Sequence, residues 1–236
     1  MTNSTTTPTQ DLRDRDLRQR ELVPPQRLAE CRALVIGVGA IGRQVAVQLA
    51  AVGMGQIDLA DFDQVAVENL AAQGYWPKDL GRAKVHATAD LCRMINPDAH
   101  VHAHADVFRR SSVKALALFH DRQHQLAVFC CVDSITARRL LWEAVRERAG
   151  VFLDGRMSAE VIRVLAVGEP AHDGYYESTL FEQGRAYAGA CTARSTIYAA
   201  SIAAGLMVGQ FTKWLRRLPI ERDVGLNLLS AELSVT

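Results

Sequence analysis

Hydrophobic and polar positions along the chain alternate between short apolar runs and longer amphipathic segments. Apolar runs predict buried strands at 33–36, 57–61 and 126–133, a strand starting at 151, and an alternating strand at 101–107. Helices are predicted after Gly42, at 82–95 before Asn96-Pro97, ending at 115–120, at 134–148 and at 195–214. Strands that alternate with helices are typical of an α/β fold with a mostly parallel sheet flanked by helices.

Three further stretches depart from this alternation. Residues 1–10 are polar and predict a disordered tail, and the mixed charges of residues 11–22 predict a short helix or a solvated arm. Pro24 and Pro25 are expected to stop that helix. Residues 155–188 are Gly-rich and polar, which predicts irregular strands and loops, and residues 225–234 predict a short closing strand.

A glycine motif directly follows the first apolar strand. Gly37, Gly39 and Gly42 form G-x-G-x-x-G, and Asp61 ends the next strand 19 residues after Gly42. In a Rossmann-like fold such glycines bring the backbone and a helix N-terminus close to phosphate, and the acid accepts ribose hydroxyls. A tight turn without a ligand is the alternative. The order of strand, glycines, helix, strand and acid favours a nucleotide site.

Composition narrows the class of protein. The chain has 236 residues, enough for one sizeable α/β domain, and its formal charge of +1 argues against binding nucleic acid through bulk electrostatics. Residues 1–20 show no apolar signal segment, and the apolar run at 197–211 is too short to span a bilayer. We therefore expect a cytoplasmic protein without a membrane or nucleic-acid partner.

Several charged and cysteine side chains are candidates for chemistry. Asp133 ends a buried strand at the edge where open α/β sheets bind ligands. Lys84 lies in the first turn of a helix, where a cation is disfavoured unless it faces a bound anion; a solvated lysine is the alternative. None of the five cysteines forms C-x-x-C, so no zinc site is expected. His100, His102 and His104 share one strand face, which favours a solvated polar face over a metal site.

Together these motifs resemble the ThiF/MoeB/HesA family, the adenylating fold of ubiquitin-activating enzymes. The resemblance covers roughly residues 15–214. It is carried by Arg15-x-x-Arg18-Gln19, Gly37-Val-Gly39-Ala-Ile-Gly42, Asp61-x-Asp63-x-Val65-x-x-x-Asn69-Leu70-x-x-Gln73, Gly81-x-x-Lys84, Asn96-Pro97 and Val132-Asp133-x-x-x-x-Arg138.

The resemblance implies a function and a set of roles. Family members use ATP and magnesium to adenylate the C-terminal glycine of a ubiquitin-like or sulfur-carrier protein. Residues 1–24 would then be a tail and arm, and residues 25–236 the adenylation domain. Asp133 would hold magnesium, and Arg18 would reach the partner protomer's site, which implies a homodimer. The implied nucleotide-binding residues are Gly37, Gly39, Ala40, Gly42, Asp61, Asp63, Asn69, Gln73, Lys84, Asp133 and Ser134.

Two departures from the family pattern stand out. The family usually has N-L-x-R-Q, with the arginine on the triphosphate, but this chain has Ala72 at that position. A lost cation should slow adenylation unless a neighbour such as Arg82 or Arg43 substitutes. The paired C-x-x-C zinc site of the family is also missing from the sequence.

Cys191 is a candidate nucleophile. It lies in Cys191-Thr-Ala-Arg194, which resembles the C-T-x-R stretch that carries the thioester-forming cysteine of ubiquitin-activating enzymes. A position just before a helix, with Arg194 nearby, favours a thiolate. A buried, inert cysteine is the alternative, and Ile197 replaces the proline of the usual stretch.

Four hypotheses follow in order of preference. The first is adenylation of a ubiquitin-like protein followed by a thioester at Cys191, with Arg18, Lys84 and Asp133 as the other catalytic residues. The second is adenylation alone, as in sulfur transfer, and the third is a non-catalytic scaffold, motivated by Ala72. The fourth, a dinucleotide oxidoreductase, is disfavoured because Asp63, Asn69 and Lys84 suit a triphosphate with magnesium.

Overall fold

The computed structural model describes residues 15–106, 123–181 and 195–236. These residues form one sheet of eight strands in the order β3-β2-β1-β4-β5-β6-β7-β8. The strands are β1 Cys31–Ile36, β2 Gln56–Ala60, β3 His100–His104, β4 Gln125–Cys130, β5 Ala149–Ser158, β6 Val161–Val167, β7 Asp223–Asn227 and β8 Glu232–Val235. The predicted α/β class with a mostly parallel sheet is confirmed. The five neighbouring strands β3, β2, β1, β4 and β5 are parallel, and β6, β7 and β8 add to them in antiparallel pairing.

Helices cover both faces of this sheet. Within the described residues they are α1 Pro25–Ala29, α2 Ala40–Ala51, α3 Val67–Gln73, α4 Lys84–Ile95, α5 Ile135–Val145, α6 Tyr175–Ser178 and α7 Ile197–Leu215. One core contains apolar side chains of α2, α4 and α7, and a second lies on the opposite face under α5 and α6. Near-continuous apolar strands such as β1 are typical of a sheet buried on both faces.

The strand order creates a switch point at the centre of the sheet. After β1 the chain moves outward through β2 to β3, and it then returns to place β4 on the other side of β1. Connections therefore leave the carboxyl ends of β1 and β4 in opposite directions. The crevice between such strands is where open α/β sheets bind ligands.

The N-terminal arm differs from the prediction. Residues 15–23 form turns, and Pro25 begins α1 at its first position instead of ending a helix. Proline fits there because the first helical N–H has no partner inside the helix. The Arg15 guanidinium binds the side chain of Asn96 and the carbonyl oxygens of Ala50 and Ile95, at the C-terminal ends of α2 and α4.

Two predictions for the second half are also wrong. Residues within 155–188 continue the long strand β5 and form β6, which pair in regular antiparallel register from Phe152 to Ser158. The single closing strand at 225–234 is a hairpin of β7 and β8. The predicted tail at 1–10 and helix end at 115–120 lie outside the described residues.

Candidate functional site

The glycine motif forms a tight turn packed against the end of β4. Gly37 has φ +82°, and a Cβ there would lie 2.6 Å from the carbonyl oxygen of Cys131. A Cβ on Gly42 would lie 1.7 Å from the carbonyl oxygen of Gly37. Gly39 differs, since the nearest atoms to its Cβ position are those of the Gln73 amide at 4.0 Å. The turn is therefore closed on its sheet side and open at Gly39 and Ala40, where α2 begins.

The N-terminus of α2 has backbone N–H groups that no side chain of the described residues caps. Among the described residues it has no side-chain cap and no acid in its first turn. Such a helix start presents free N–H groups and a partial positive charge. A helix start of this kind can bind an anion, and the phosphate-binding role of Gly39 and Ala40 stays a prediction.

Asp61 joins the end of β2 to the glycine turn. Its two carboxylate oxygens accept hydrogen bonds from the Val38 N–H at 2.7 Å and from the Asp63 N–H at 2.8 Å. Burial raises the pKa of the Asp61 carboxyl, although both N–H groups oppose this effect. A carboxylate has about four acceptor positions, so two remain for further hydrogen bonds.

Lys84 is the first residue of α4, and its side chain is paired. Its Nζ donates to Asp63 Oδ2 at 2.8 Å, and the Lys84 side chain is 7% exposed while that of Asp63 is 48% exposed. Asp63 therefore supplies the anion that compensates a cation at a helix N-terminus. The lysine is buried beside the carboxyl end of β2, not solvated on the surface.

Helix α3 contributes Asn69 and Gln73 in different ways. The Asn69 side-chain oxygen accepts the Ala66 N–H at 2.9 Å, so it caps the start of α3. Gln73 ends α3 beside Gly39, and its buried Oε1 has no hydrogen-bond partner among the described residues. The structure thus brings Gln73 to the turn, while the oxygen of Asn69 serves the helix.

Arg43 and Tyr75 lie next to the same turn. Arg43 is 5% exposed, and its guanidinium lies 4.7 Å from the centroid of the Tyr75 ring. The Tyr75 hydroxyl donates to the Val38 carbonyl oxygen at 2.7 Å. Arg82, in contrast, is bound to Asp79 at 2.9 Å and to Asp90 at 2.6 Å.

Asp133 and Ser134 follow β4 on the other side of the switch point. Asp133 is exposed, and the Ser134 hydroxyl oxygen accepts a hydrogen bond from the Ala137 N–H at 3.1 Å as the cap of α5. The hydroxyl of Ser134 therefore has a structural role that the resemblance did not indicate.

A buried network that the sequence did not reveal supports this loop. Arg138 is ion-paired with the fully buried Asp154 and donates to the carbonyl oxygen of Val132. Asp154 also accepts hydrogen bonds from Arg156 at 2.8 Å and from the Tyr176 hydroxyl at 3.0 Å. The only sequence signal was the spacing between Asp133 and Arg138 within the family motif.

Arg18 lies away from its own glycine turn. It is exposed, and Gln19 beside it donates to the Val52 carbonyl oxygen at the C-terminal end of α2. The turn is at the other end of this 12-residue helix, which is about 18 Å long. Arg18 therefore does not join the residues gathered around the turn of its own chain.

The described cysteines are poor nucleophiles. Burial raises the pKa of the thiols of Cys31, Cys92, Cys130 and Cys131, to about 12 for the first two. A raised pKa keeps the thiol protonated and unreactive at neutral pH. Cys191 and Arg194 lie outside the described residues.

Of the three histidines on β3, His104 has a defined partner. Its Nε2 lies 3.0 Å from Oδ1 of the buried Asp58, which also accepts hydrogen bonds from Arg32 at 2.7 and 3.1 Å. Over residues 15–106, 123–181 and 195–236, no group of three or more His, Cys, Asp or Glu side chains is arranged to hold a metal. No helix in the same ranges is long and apolar enough to cross a membrane.

The fold and this site define a Rossmann-like α/β protein with an open glycine turn at its switch point. The chain belongs to the ThiF family, whose model matches residues 14–232. It is similar to the ubiquitin-like modifier-activating enzyme 5 of Caenorhabditis elegans, with 28% identity over 145 residues, which are 58% of this chain and 34% of that protein. The chain thus spans about a third of the length of the curated relatives it matches.

Two solved structures share the fold. One is PaaA, with a TM-score of 0.75 and 19% identity, covering 100% of this chain and 77% of PaaA. The other is Escherichia coli MccB crystallised with AMPCPP and MccA, with a TM-score of 0.67 and 15% identity, covering 90% of this chain and 65% of MccB. The family resemblance expected from the motifs is therefore confirmed.

Proposed function

We propose that this protein uses ATP to adenylate the C-terminal glycine of a ubiquitin-like or sulfur-carrier protein. The observation that carries the proposal is the arrangement at the switch point of a ThiF-family chain. The open turn at Gly39, the carboxylate of Asp61, the buried Lys84 and the exposed Asp133 all lie at the carboxyl ends of β1, β2 and β4. This arrangement suits a nucleotide with several phosphates better than a dinucleotide.

The residues present fit such a nucleotide. A Cβ on Gly39 would contact only the Gln73 amide, at 4.0 Å, and the Gln73 and Arg43 side chains each have a buried polar atom without a partner among the described residues. Asp133 is the residue that would hold magnesium, which when bound offsets phosphate charge. Asp61 would hold the ribose.

The reaction transfers an adenylyl group without a general base. A carboxylate oxygen of the glycine, already ionised at neutral pH, forms a bond to the α-phosphorus of ATP. The bond from that phosphorus to the bridging oxygen breaks, and pyrophosphate leaves with the electron pair. Lys84 would stabilise the negative charge that accumulates around the reacting phosphorus.

Arg18 would assist from a second protomer. Its position about one helix length from its own turn supports a role in trans within a homodimer, because it is too distant to serve its own site. In this proposal residues 1–24 form a tail and arm that carries Arg18 towards the partner protomer, and residues 25–236 form the adenylation domain.

A second step would transfer the activated glycine to Cys191. The thiolate would attack the carbonyl carbon of the acyl adenylate, forming a thioester and releasing AMP. The raised thiol pKa of the four described cysteines supports Cys191 as the nucleophile, since those four are unsuited to the role. A cytoplasmic location would keep this thiol reduced.

The relatives supply supporting context. The match includes a ubiquitin-like modifier-activating enzyme, and the MccB structure contains AMPCPP together with MccA. Both are consistent with an activating enzyme whose substrate is a polypeptide.

The experiment incubates the protein with ATP labelled at the α-phosphate and with small carrier proteins that end in glycine. We expect a labelled carrier adenylate and, on a non-reducing gel, a thiol-sensitive adduct that Cys191→Ala loses and the control Cys31→Ala keeps. An adenylate without an adduct would reject the thioester step. Absence of the adenylate with every carrier would reject the proposal.

A further inference from the structure

Arg43 is a buried cation without an ion pair among the described residues. Only 5% of the residue is exposed, and its Nε has no hydrogen-bond acceptor among them. Burial lowers the pKa of its guanidinium, and the nearby Tyr75 and Asp79 oppose this effect without forming an ion pair with it. An unpaired charge removed from water is costly, so such a residue needs a compensating partner.

Other arginines shielded from solvent in this protein have such partners. Arg138 and Arg156 share Asp154, and Arg32 binds Asp58. The protein therefore solves the same electrostatic problem with a carboxylate elsewhere. Arg43 is different, which suggests that its anion comes from outside the chain.

The surroundings hold Arg43 beside the glycine turn. Its guanidinium stacks on the Tyr75 ring, whose hydroxyl is bonded to Val38 in the turn. Gly74 makes room for it, since a Cβ there would lie 3.3 Å from Nη1 of Arg43. The arginine is thus kept next to the N-terminus of its own helix, α2.

A second buried polar atom without a partner lies at the same place. Gln73 Oε1 has no hydrogen-bond partner among the described residues, and the amide is 4.0 Å from the Cβ position of Gly39. Ala72 precedes Gln73 on α3 and contributes no charge. Two side chains near the turn, Arg43 and Gln73, therefore each have one buried polar atom without a partner among the described residues.

We propose that Arg43 binds the triphosphate of ATP and supplies from α2 the positive charge that Ala72 does not supply from α3. This inference rests on the proposed function, because it assumes that the turn binds ATP. Arg82, the other candidate, is held by Asp79 and Asp90 and does not take this role. The guanidinium has five N–H donors and suits phosphate oxygens.

Calorimetry with ATP, AMP and adenosine tests the inference on the full chain. Arg43→Gln should weaken ATP binding about 10- to 100-fold, as expected for a lost charge-assisted hydrogen bond, and change adenosine binding less than about twofold. Arg82→Gln, the matched control, should bind ATP like the wild type. Adding Ala72→Arg to Arg43→Gln should restore at least about tenfold of the lost affinity, which a purely structural role of Arg43 would not allow.

Three outcomes would overturn the inference. Arg43→Gln could bind ATP like the wild type, it could lose ATP and adenosine affinity equally, or Arg82→Gln could lose ATP affinity in its place. If Arg43→Gln does not fold, the NMR signal of the Arg43 Nε–H group in the ¹⁵N-labelled wild type decides the question. This signal is identified as the one that the Arg43→Lys variant lacks. It should shift with ATP and not with adenosine, and no shift would reject the contact. Wild-type protein that binds no ATP would reject both proposals, whereas ATP binding without carrier adenylation would reject only the function.

Discussion

Two cations beside the glycine turn differ in how their charge is balanced. Lys84 is paired with Asp63, whose side chain is half exposed, whereas Arg43 has no carboxylate among the described residues. A lysine held by an exposed acid can exchange that acid for phosphate at little cost. At the residue scale this pair suggests that Lys84 takes part in the reaction instead of only stabilising the fold.

Replacing Lys84 by methionine tests this role. Lys84→Met keeps most of the buried side-chain volume, so the free energy of unfolding should change by less than about 1 kcal/mol in urea titrations. Adenylate formation in a single turnover should slow about 100-fold, since one cation at the reacting phosphate is lost. Lys78→Met, which removes an exposed lysine stacked on Trp76, is the control and should react at the wild-type rate. An equal rate in both variants would contradict the assignment.

Asp58 makes stability depend on pH. Burial would raise the pKa of its carboxyl, but hydrogen bonds from His104 and Arg32 lower it below the ordinary value. A carboxyl with a lowered folded-state pKa adds stability above its unfolded pKa of about 3.9, and that stability is lost as the pH falls through the folded pKa.

Asp58→Asn should therefore be less stable than the wild type by about 3 kcal/mol at pH 7. The difference should shrink as the pH falls below about 4, because the wild-type carboxyl is then protonated first in the unfolded state and, at lower pH, in the folded state as well. Urea unfolding between pH 3 and pH 7, chosen to span the usual carboxyl range, measures both curves. A gap that stays constant over this range would contradict the ionic role of Asp58.

At the element scale, the strand-turn-helix unit separates packing from ligand binding within one motif. Gly42 lies against the carbonyl oxygen of Gly37, whereas Gly39 faces open space. The two glycines of one sequence pattern thus have different physical reasons to be glycine.

Alanine substitutions at Gly42 and Gly39 should differ in whether they reduce stability or ATP binding. Gly42→Ala places Cβ 1.7 Å from a backbone oxygen, so the protein should misfold or lose most of its stability. Gly39→Ala should cost only about 1 kcal/mol in unfolding experiments but weaken ATP binding at least about tenfold, because the methyl group occupies the approach to the turn. Normal ATP binding by a folded Gly39→Ala variant would contradict this account.

The sequence predicted those elements whose pattern is local. The apolar runs of β1 and β4 and the glycines before α2 are readable from neighbouring residues, and the structure has strands and a helix there. The β5–β6 and β7–β8 pairs are hairpins between consecutive strands, but polar positions such as Arg156 and Arg163 obscured the first of them. The pairing of β6 with β7 joins segments that are distant in the sequence, so no local pattern indicates it. Pro25 was misinterpreted because proline ends one helix and begins another equally well.

The candidate site was predictable only in part. Their positions along the sequence predicted that Asp61, Lys84 and Asp133 lie at one edge of the sheet. The sequence did not reveal that Ser134 caps α5 or that Arg138 pairs with Asp154. The Arg138–Asp154 contact arises from side-chain packing between separate elements, and the spacing of residues along the sequence does not predict such packing.

At the scale of the whole molecule, Arg18 lies far from its own turn, so its proposed role in trans requires an active site shared between two protomers. Arg18→Ala and Lys84→Met proteins should each be inactive alone. After the two are mixed and subunits exchange, about a quarter of wild-type adenylation should return, because half the dimers are mixed and each has one intact site. No recovery, or full activity of Arg18→Ala alone, would contradict a role in trans.

ATP–pyrophosphate exchange in the presence of a carrier protein that ends in glycine tests adenylation most directly. Exchange should depend on the carrier, disappear in Asp133→Ala, and survive in Cys191→Ala because the thioester forms after adenylation. Absence of exchange with every carrier, in a protein that still binds ATP, would contradict adenylation and favour a non-catalytic scaffold of the same fold.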